Sequence, residues 1–223
     1  MERAIATWYA KNTQRDIAEF RSLAARLFQE IAAGSTILEV APGPLSVDLA
    51  TCGQHQVTSL DISQSFVEIA RKNAAAESVR ADFRRGNASA MPFEDNAFDF
   101  VVCRAAFKNF TQPLEAINEM FRVLKPGGRA MIIDLRRDAT SAVIAEYVDR
   151  LELGWLDSVI TKLTLRWLTH RAHTTDDFRK MAVNSPFAKC EITEAPLGIE
   201  VVFPRPDSLG VAPGNRLGNP VGL

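Results

Sequence analysis

Cysteine, histidine and tyrosine are scarce in this 223-residue sequence, at three, three and two residues. Cys52, Cys103 and Cys190 are widely spaced, and no pair has the short separation of a zinc or redox motif. A disulfide framework and a metal-organised fold are therefore excluded, and a reduced compartment, the cytoplasm, is expected. Charge of one sign is also lacking. Twenty-six Lys and Arg face 27 Asp and Glu for a formal net charge of −1, so no global field draws nucleic acid or an anionic membrane. No uninterrupted apolar run approaches the roughly 20 residues of a membrane-spanning helix, so stable insertion is not expected. Met1 to Ala10 has no apolar stretch of the kind a secretion signal needs. A repeat of the length that builds solenoids is absent. So is G-x-G-x-x-G: Ala41 to Ser46 supplies a single glycine, which argues against a nicotinamide-dependent reductase.

What is present is an ordinary globular mixture, 47% apolar and 24% charged, enough for one well-buried domain. Strand-like and helix-like patterns alternate. A helical spacing runs from Arg15 to Ile31, followed by the β-branched run Thr36–Val40 and the loop Ala41-Pro42-Gly43-Pro44. A second strand is predicted over Gln56–Asp61, then a helix capped by Ser63, a weaker strand near Ala81–Arg85, and a fourth over Phe98–Cys103. Pro113 starts a helix that Lys125-Pro126-Gly127-Gly128 stops, and Ala130–Leu135 reads as the fifth strand. Residues 140–178 read as mostly helical, with late strands over Cys190–Ala195 and Gly198–Phe203. Such alternation predicts an α/β fold, a parallel sheet with helices on both faces. Residues 1–203 are taken as one domain, with a helical lid over 1–34 and a helical cap over 140–180; residues 204–223, rich in Pro, Gly and Asn, read as a loose tail.

Right-handed crossovers place the loops after the first four strands along one edge, where a ligand should sit. The turn Glu39–Pro44 follows the first strand and lets backbone N–H groups approach that ligand closely. Asp61 ends the second strand, 22 residues after Glu39. A carboxylate there can accept both hydroxyl protons of a ribose.

The run Ile37–Pro44 resembles the first motif of class I S-adenosylmethionine-dependent methyltransferases, and Leu60–Ser63 the second. Gly86–Phe93 with Phe98–Val102 resembles the third motif and fourth strand, and Ala116–Gly128 the helix and turn before the fifth. The resemblance is greatest to the branch containing the ubiquinone and menaquinone biosynthesis methyltransferases, and covers about residues 35 to 135. It implies a Rossmann-like, three-layer, seven-stranded, mostly parallel sheet with an antiparallel last strand. It also implies S-adenosylmethionine as cofactor and S-adenosylhomocysteine as product. By the same resemblance Glu39 orients the glycine loop, and Ala41 and Gly43 lie against the methionyl part. Asp61 holds the ribose while Ile62 packs on adenine. Asn87 and Ala88 meet the adenine edge, Arg104 lies near the methionine end, and Phe107 falls near the reactive methyl. Tyr9, beside Trp8, is placed to close over the cofactor or to pack the first helix onto the sheet. Three positions depart from the pattern. Ala41 and Leu45 stand where loop glycines are usual, so that Leu45 crowds the cofactor unless the loop is reshaped, and Asn87 stands where an aspartate is common.

The acceptor implied is a small molecule, hydrophobic or aromatic, with nucleic acid disfavoured by the absence of a basic stripe. A base is needed only where an acceptor must lose a proton. The candidates are His170 and His173, three apart and on one face if the helix continues, together with Asp134; Asp138 is a further acid nearby. Arg136 and Arg137 read either as salt-bridged surface or as anchors for an acidic acceptor, and Lys108-Asn109 as a substrate contact or plain surface. The Leu- and Trp-rich stretch from Leu151 to Leu168 would line an apolar acceptor pocket, touch a membrane surface, or bury its stripe as a cap. No metal site is expected. A S-adenosylmethionine-binding protein without transfer activity is the alternative function, and the oligomeric state, monomer or homodimer, is left open.

Overall fold

The computed structural model describes residues 17–43, 45–51 and 54–207. Tyr9, the first half of the expected lid and the tail beyond residue 207 lie outside them. The elements run α1 (Ile17–Glu30), β1 (Thr36–Val40), α2 (Leu45–Thr51), β2 (Gln56–Asp61), α3 (Gln64–Ala76), β3 (Asp82–Arg85) and β4 (Phe98–Arg104). A 3₁₀ turn (Phe107–Asn109) precedes α4 (Pro113–Val123) and β5 (Leu124–Leu135). Then come α5 (Ser141–Asp149), α6 (Trp155–Arg171), α7 (Thr175–Val183), β6 (Glu191–Glu194) and β7 (Gly198–Pro204).

The seven strands form one sheet in the order β3-β2-β1-β4-β5-β7-β6. β1 to β5 pair in parallel, and β7 runs antiparallel to both β5 and β6. The central strands are largely apolar on both faces because helices cover both sides of the sheet. Leu38, Val101, Cys103, Ala130 and Ile132 pack against Ile117, Met120 and Phe178 on one side. Ile37, Phe100, Val102 and Met131 meet Phe20, Leu27 and Leu49 on the other. The period-2 alternation of the strands assigns each residue its side.

Several boundaries follow the sequence closely. Ser63 caps α3 by accepting from Phe66 N at 3.4 Å, and Pro113 occupies the first turn of α4. The turn Lys125–Gly128 differs from expectation. It belongs to β5 itself, which pairs Phe98 with Leu124 and then Phe100 with Arg129. The residues between bulge outward, helped by Gly127 at φ +76°. The stretch 140–178 divides into three helices.

Of the three readings of the α6 stripe, burial as a cap is the one the structure corrects: Trp155, Leu156, Ile160, Leu163 and Trp167 are all exposed, Trp155 at 79%. The helix rests on α5 and on the 3₁₀ turn through its other face. Periodicity reveals a stripe without revealing what faces it.

Candidate active site

The carboxyl ends of β1, β2 and β3 carry their ladder one residue further. Ala41 N donates to Leu60 O at 2.8 Å, and Gly86 N donates to Asp61 O at 2.8 Å. Three loops are thereby held level at one edge of the sheet. They enclose a cavity of about 160 Å³ lined by Val40, Ala41, Leu60, Asp61, Ile62 and residues 86–89, closed by Asn109, Phe110 and Thr111. Five of the residues singled out from sequence meet here: Ala41, Asp61, Ile62, Asn87 and Ala88. Asp61 is nearly buried and accepts from Ser63 N at 2.7 Å, which fixes its carboxylate over the start of α3. Ile62 is two-thirds exposed at the rim. Asn87 is exposed, and its Oδ1 accepts from Ser89 N at 2.9 Å.

Ala41 adopts φ +59°, the left-handed region that favours glycine. The sequence departure is thus a residue holding a glycine's conformation, at a cost of about 1 kcal/mol. Leu45 does not crowd the cavity. It starts α2 fully buried among Phe20, Leu49 and Phe100, so its side chain serves the core.

Glu39 lies beneath the loop, 1% exposed. Its carboxylate accepts from Gly43 N at 3.3 Å and from the Ser46 hydroxyl, which is 2.7 Å from Ser59 Oγ. These contacts tie the turn to the sheet. Burial raises its pKa to about 7, against the opposing hydrogen bonds from Ser46 and Gly43 and the charge of Arg104. Gly43 packs on Phe20, whose ring a Cβ there would meet at 3.4 Å, and it does not line the cavity.

A second, larger cavity of about 390 Å³ opens on the other side of the β4 end. Arg104, Ala105, Ile133, Asp134 and Leu135 form its floor, Val143, Glu146, Tyr147 and Arg150 its helical wall, and residues 195–198 its far side. The guanidinium of Arg104 stacks 3.9 Å over the Phe20 ring. The charged pair on the wall is satisfied internally, Arg150 bonding to Glu146 one turn away. No motif announced Val143, Tyr147 or Leu197, because this cavity exists only once α5 packs opposite the β6–β7 turn.

Phe107 is fully buried against Phe110, His173 and Phe178, with ring centroids 5.2–5.5 Å away, and lines neither cavity. Asp134, considered as a base, is nearly buried and fully engaged: Lys108 N (2.9 Å), Lys108 Nζ (2.8 Å) and Leu135 N (2.7 Å) all donate to it. His170 and His173 do not share a helix face. α6 ends at Arg171, leaving His170 exposed on it while His173 bridges to Arg136. Burial lowers the His173 pKa, with Asp177 and Asp134 opposing and Arg137 adding to the effect. Arg136 pairs with Asp138 and Glu194, and Arg137 with Asp177 and the Ala172 carbonyl, which is the salt-bridged alternative. Cys103 is buried, and burial pushes its thiol up. Among the described residues no cluster of three His, Cys, Asp or Glu could hold a metal ion, and no helix is long and apolar enough to cross a membrane.

Comparison with known proteins agrees with this geometry. Residues 38–132 match the model of a family described as "Methyltransferase domain". The chain is 37% identical over 120 residues to a ubiquinone/menaquinone biosynthesis C-methyltransferase of Roseobacter denitrificans, covering 52% of this chain and 48% of that protein. It is 26% identical over 194 residues to a demethylmenaquinone methyltransferase of Bacillus cereus, covering 82% and 77%. The chain thus spans about half the length of the first of these relatives. Its fold resembles the crystal structure of a putative S-adenosyl-L-methionine-dependent methyltransferase from Methanococcus maripaludis. That likeness has TM-score 0.70 and 20% identity, and covers 92% of this chain and 94% of the other.

Proposed function

We propose, from the premise that this chain carries a class I S-adenosylmethionine-dependent methyltransferase domain, that it transfers a methyl group to a small apolar or aromatic acceptor. The observation that carries this reading is the pair of cavities divided by one segment, Arg104 to Thr111. In the smaller, Asp61 has the charge and position to accept from a ribose diol, and Ile62, Leu60 and Val40 offer an apolar bed for adenine. Asn87 and Ala88 lie where the purine edge would fall. Glu39 organises the turn whose Ala41 backbone would face the methionyl end, with Arg104 beyond it. The residues present therefore fit the cofactor. S-adenosylmethionine, when bound, supplies an electrophilic methyl group on a sulfonium.

The larger cavity offers Ile133, Leu135, Val143, Tyr147 and Leu197 to an acceptor, a lining that favours an apolar or aromatic ring over a charged one. The relatives' names concern quinone precursors, and a demethylated naphthoquinol has the matching character. Displacement at a methyl is in-line, so holding donor and acceptor in one geometry does much of the work. The carboxylates lining this cavity, Asp134 in the floor and Glu146 in the wall, are both ion-paired. The reading therefore favours an acceptor that ionises without protein assistance over an alcohol that needs a base. That engagement also supports the second reading, a S-adenosylmethionine-binding protein without transfer activity.

The test is incubation of the protein with radiolabelled S-adenosylmethionine and reduced short-chain demethylnaphthoquinol, a simple phenol, a thiol or an amine. Label passing to the quinol and not the amine is the expected result. Cofactor binding with no label in any acceptor would favour the non-catalytic reading.

A further inference from the structure

The segment between the two cavities is held by a buried ion pair whose Asp134 lies in the floor of the larger cavity while Lys108 lines neither. Lys108 and Asp134 expose only 5% and 3% of their side chains, with Nζ 2.8 Å from the carboxylate. The same carboxylate accepts the backbone N–H of Lys108, so the residue is gripped at both ends. Lys108 Nζ also donates to the carbonyl of Ala105, closing a loop over the 3₁₀ turn. Ala105 stands at φ +57° with its N–H bonded to Ile133 O at 2.7 Å. One turn further on, Asn109 and Phe110 line the smaller cavity, whereas Ala105 lines the larger. The distance between the two cavities is thus set across Lys108.

Taking two charges out of water is expensive, and a well-packed apolar pair of similar volume often serves stability as well or better. Stability alone therefore gives a weak account of Lys108 and Asp134. Positional control gives a stronger one, since misplacing reacting groups by about 1 Å can slow a reaction on the order of a hundredfold.

We propose that the buried Lys108–Asp134 pair is a positioning clamp that fixes the Arg104–Thr111 segment, and with it the separation of donor and acceptor cavities. The inference rests on the methyl-transfer reading. Lys108 lines neither cavity, and the carboxylate of Asp134, in the floor of the larger one, is taken up by Lys108 and Leu135, so both act as positioning residues.

Removing one partner alone would strand a buried charge and risk unfolding. The test is therefore the double variant Lys108→Met with Asp134→Leu, beside wild type. Hydrogen exchange of the peptide spanning residues 104–111 should quicken by about tenfold or more in the variant, with other peptides and the melting temperature unchanged. S-adenosylhomocysteine affinity should stay within about threefold. With demethylnaphthoquinol as probe, kcat should fall by about a hundredfold while KM changes little, the split expected when alignment and not binding is lost. Unchanged exchange in residues 104–111, or unchanged kcat in an active enzyme, would overturn the clamp. A parallel fall in melting temperature, affinity and kcat would also overturn it, by showing a merely structural role. If wild type itself transfers nothing to the probe, the methyl-transfer reading fails and the exchange measurement still decides whether the pair holds the segment.

Discussion

Replacing Glu39 by Gln offers a quantitative test of the loop that lines the smaller cavity. The carboxyl is buried under the Ala41–Gly43 turn, and its pKa rises from 4.5 to about 7 because burial disfavours the charge more than Ser46 and Gly43 favour it. A folded-state pKa above the unfolded one means that the native protein binds more protons between those values. Stability from this group is therefore retained at low pH and lost as pH rises from about 4.5 through 7. With those two values, linkage gives a loss on the order of 2–3 kcal/mol between pH 5 and pH 8. Glu39→Gln removes the titration while keeping an oxygen to accept from Gly43 or Ser46. Urea unfolding of both proteins across this range should show wild type losing on the order of 2–3 kcal/mol relative to the variant. Parallel stability curves would refute the argument, because they would mean that Glu39 titrates alike in folded and unfolded chains.

Two further substitutions probe the cavity wall. Asp61→Ala should weaken S-adenosylhomocysteine binding by about 2–4 kcal/mol through the loss of charge-assisted hydrogen bonds. Asp61→Asn, which keeps an acceptor for Ser63 N, should lose less; equal affinity in all three proteins by calorimetry would remove Asp61 from the ribose. Gly86→Ala would place a Cβ 2.7 Å from Leu60 Cδ1 and 3.0 Å from Pro92 Cδ. The variant should be destabilised by about 1–3 kcal/mol and bind the nucleoside more weakly, whereas a wild-type melting temperature would show the loop is free to shift.

The strands and the smaller cavity were legible in sequence because local rules suffice for them. Ile37-Leu38 and Phe100–Cys103 are apolar at consecutive positions, which marks strands covered on both faces. Asp61 and the Gly86–Ala88 segment follow directly on strand ends, so parallel topology alone brings them to one edge. The engagement of Glu39 with Gly43 and Ser46 is likewise local, spanning four and seven residues. The Lys108–Asp134 pair is not local: its partners lie 26 residues apart on two elements, and nothing in either stretch marks them as partners. The larger cavity depends on α5 meeting residues 195–198, a matter of packing that no motif carries. Lys125-Pro126-Gly127-Gly128 follows the end of α4, as its Pro and Gly signal, but the chain accommodates the run as a bulge within β5, so that strand starts earlier than Ala130. Phe107 was placed beside the transferred methyl by resemblance, yet its side chain completes an aromatic cluster with Phe178.

The central claim is that the β1–β3 edge binds S-adenosylmethionine. Calorimetric titration of the purified protein with S-adenosylmethionine and S-adenosylhomocysteine, with NADH alongside, tests it most directly. Saturable binding of both sulfur nucleosides, abolished or sharply weakened in Asp61→Ala, with none of NADH, is the predicted result. Binding of neither sulfur nucleoside by a folded protein would contradict it.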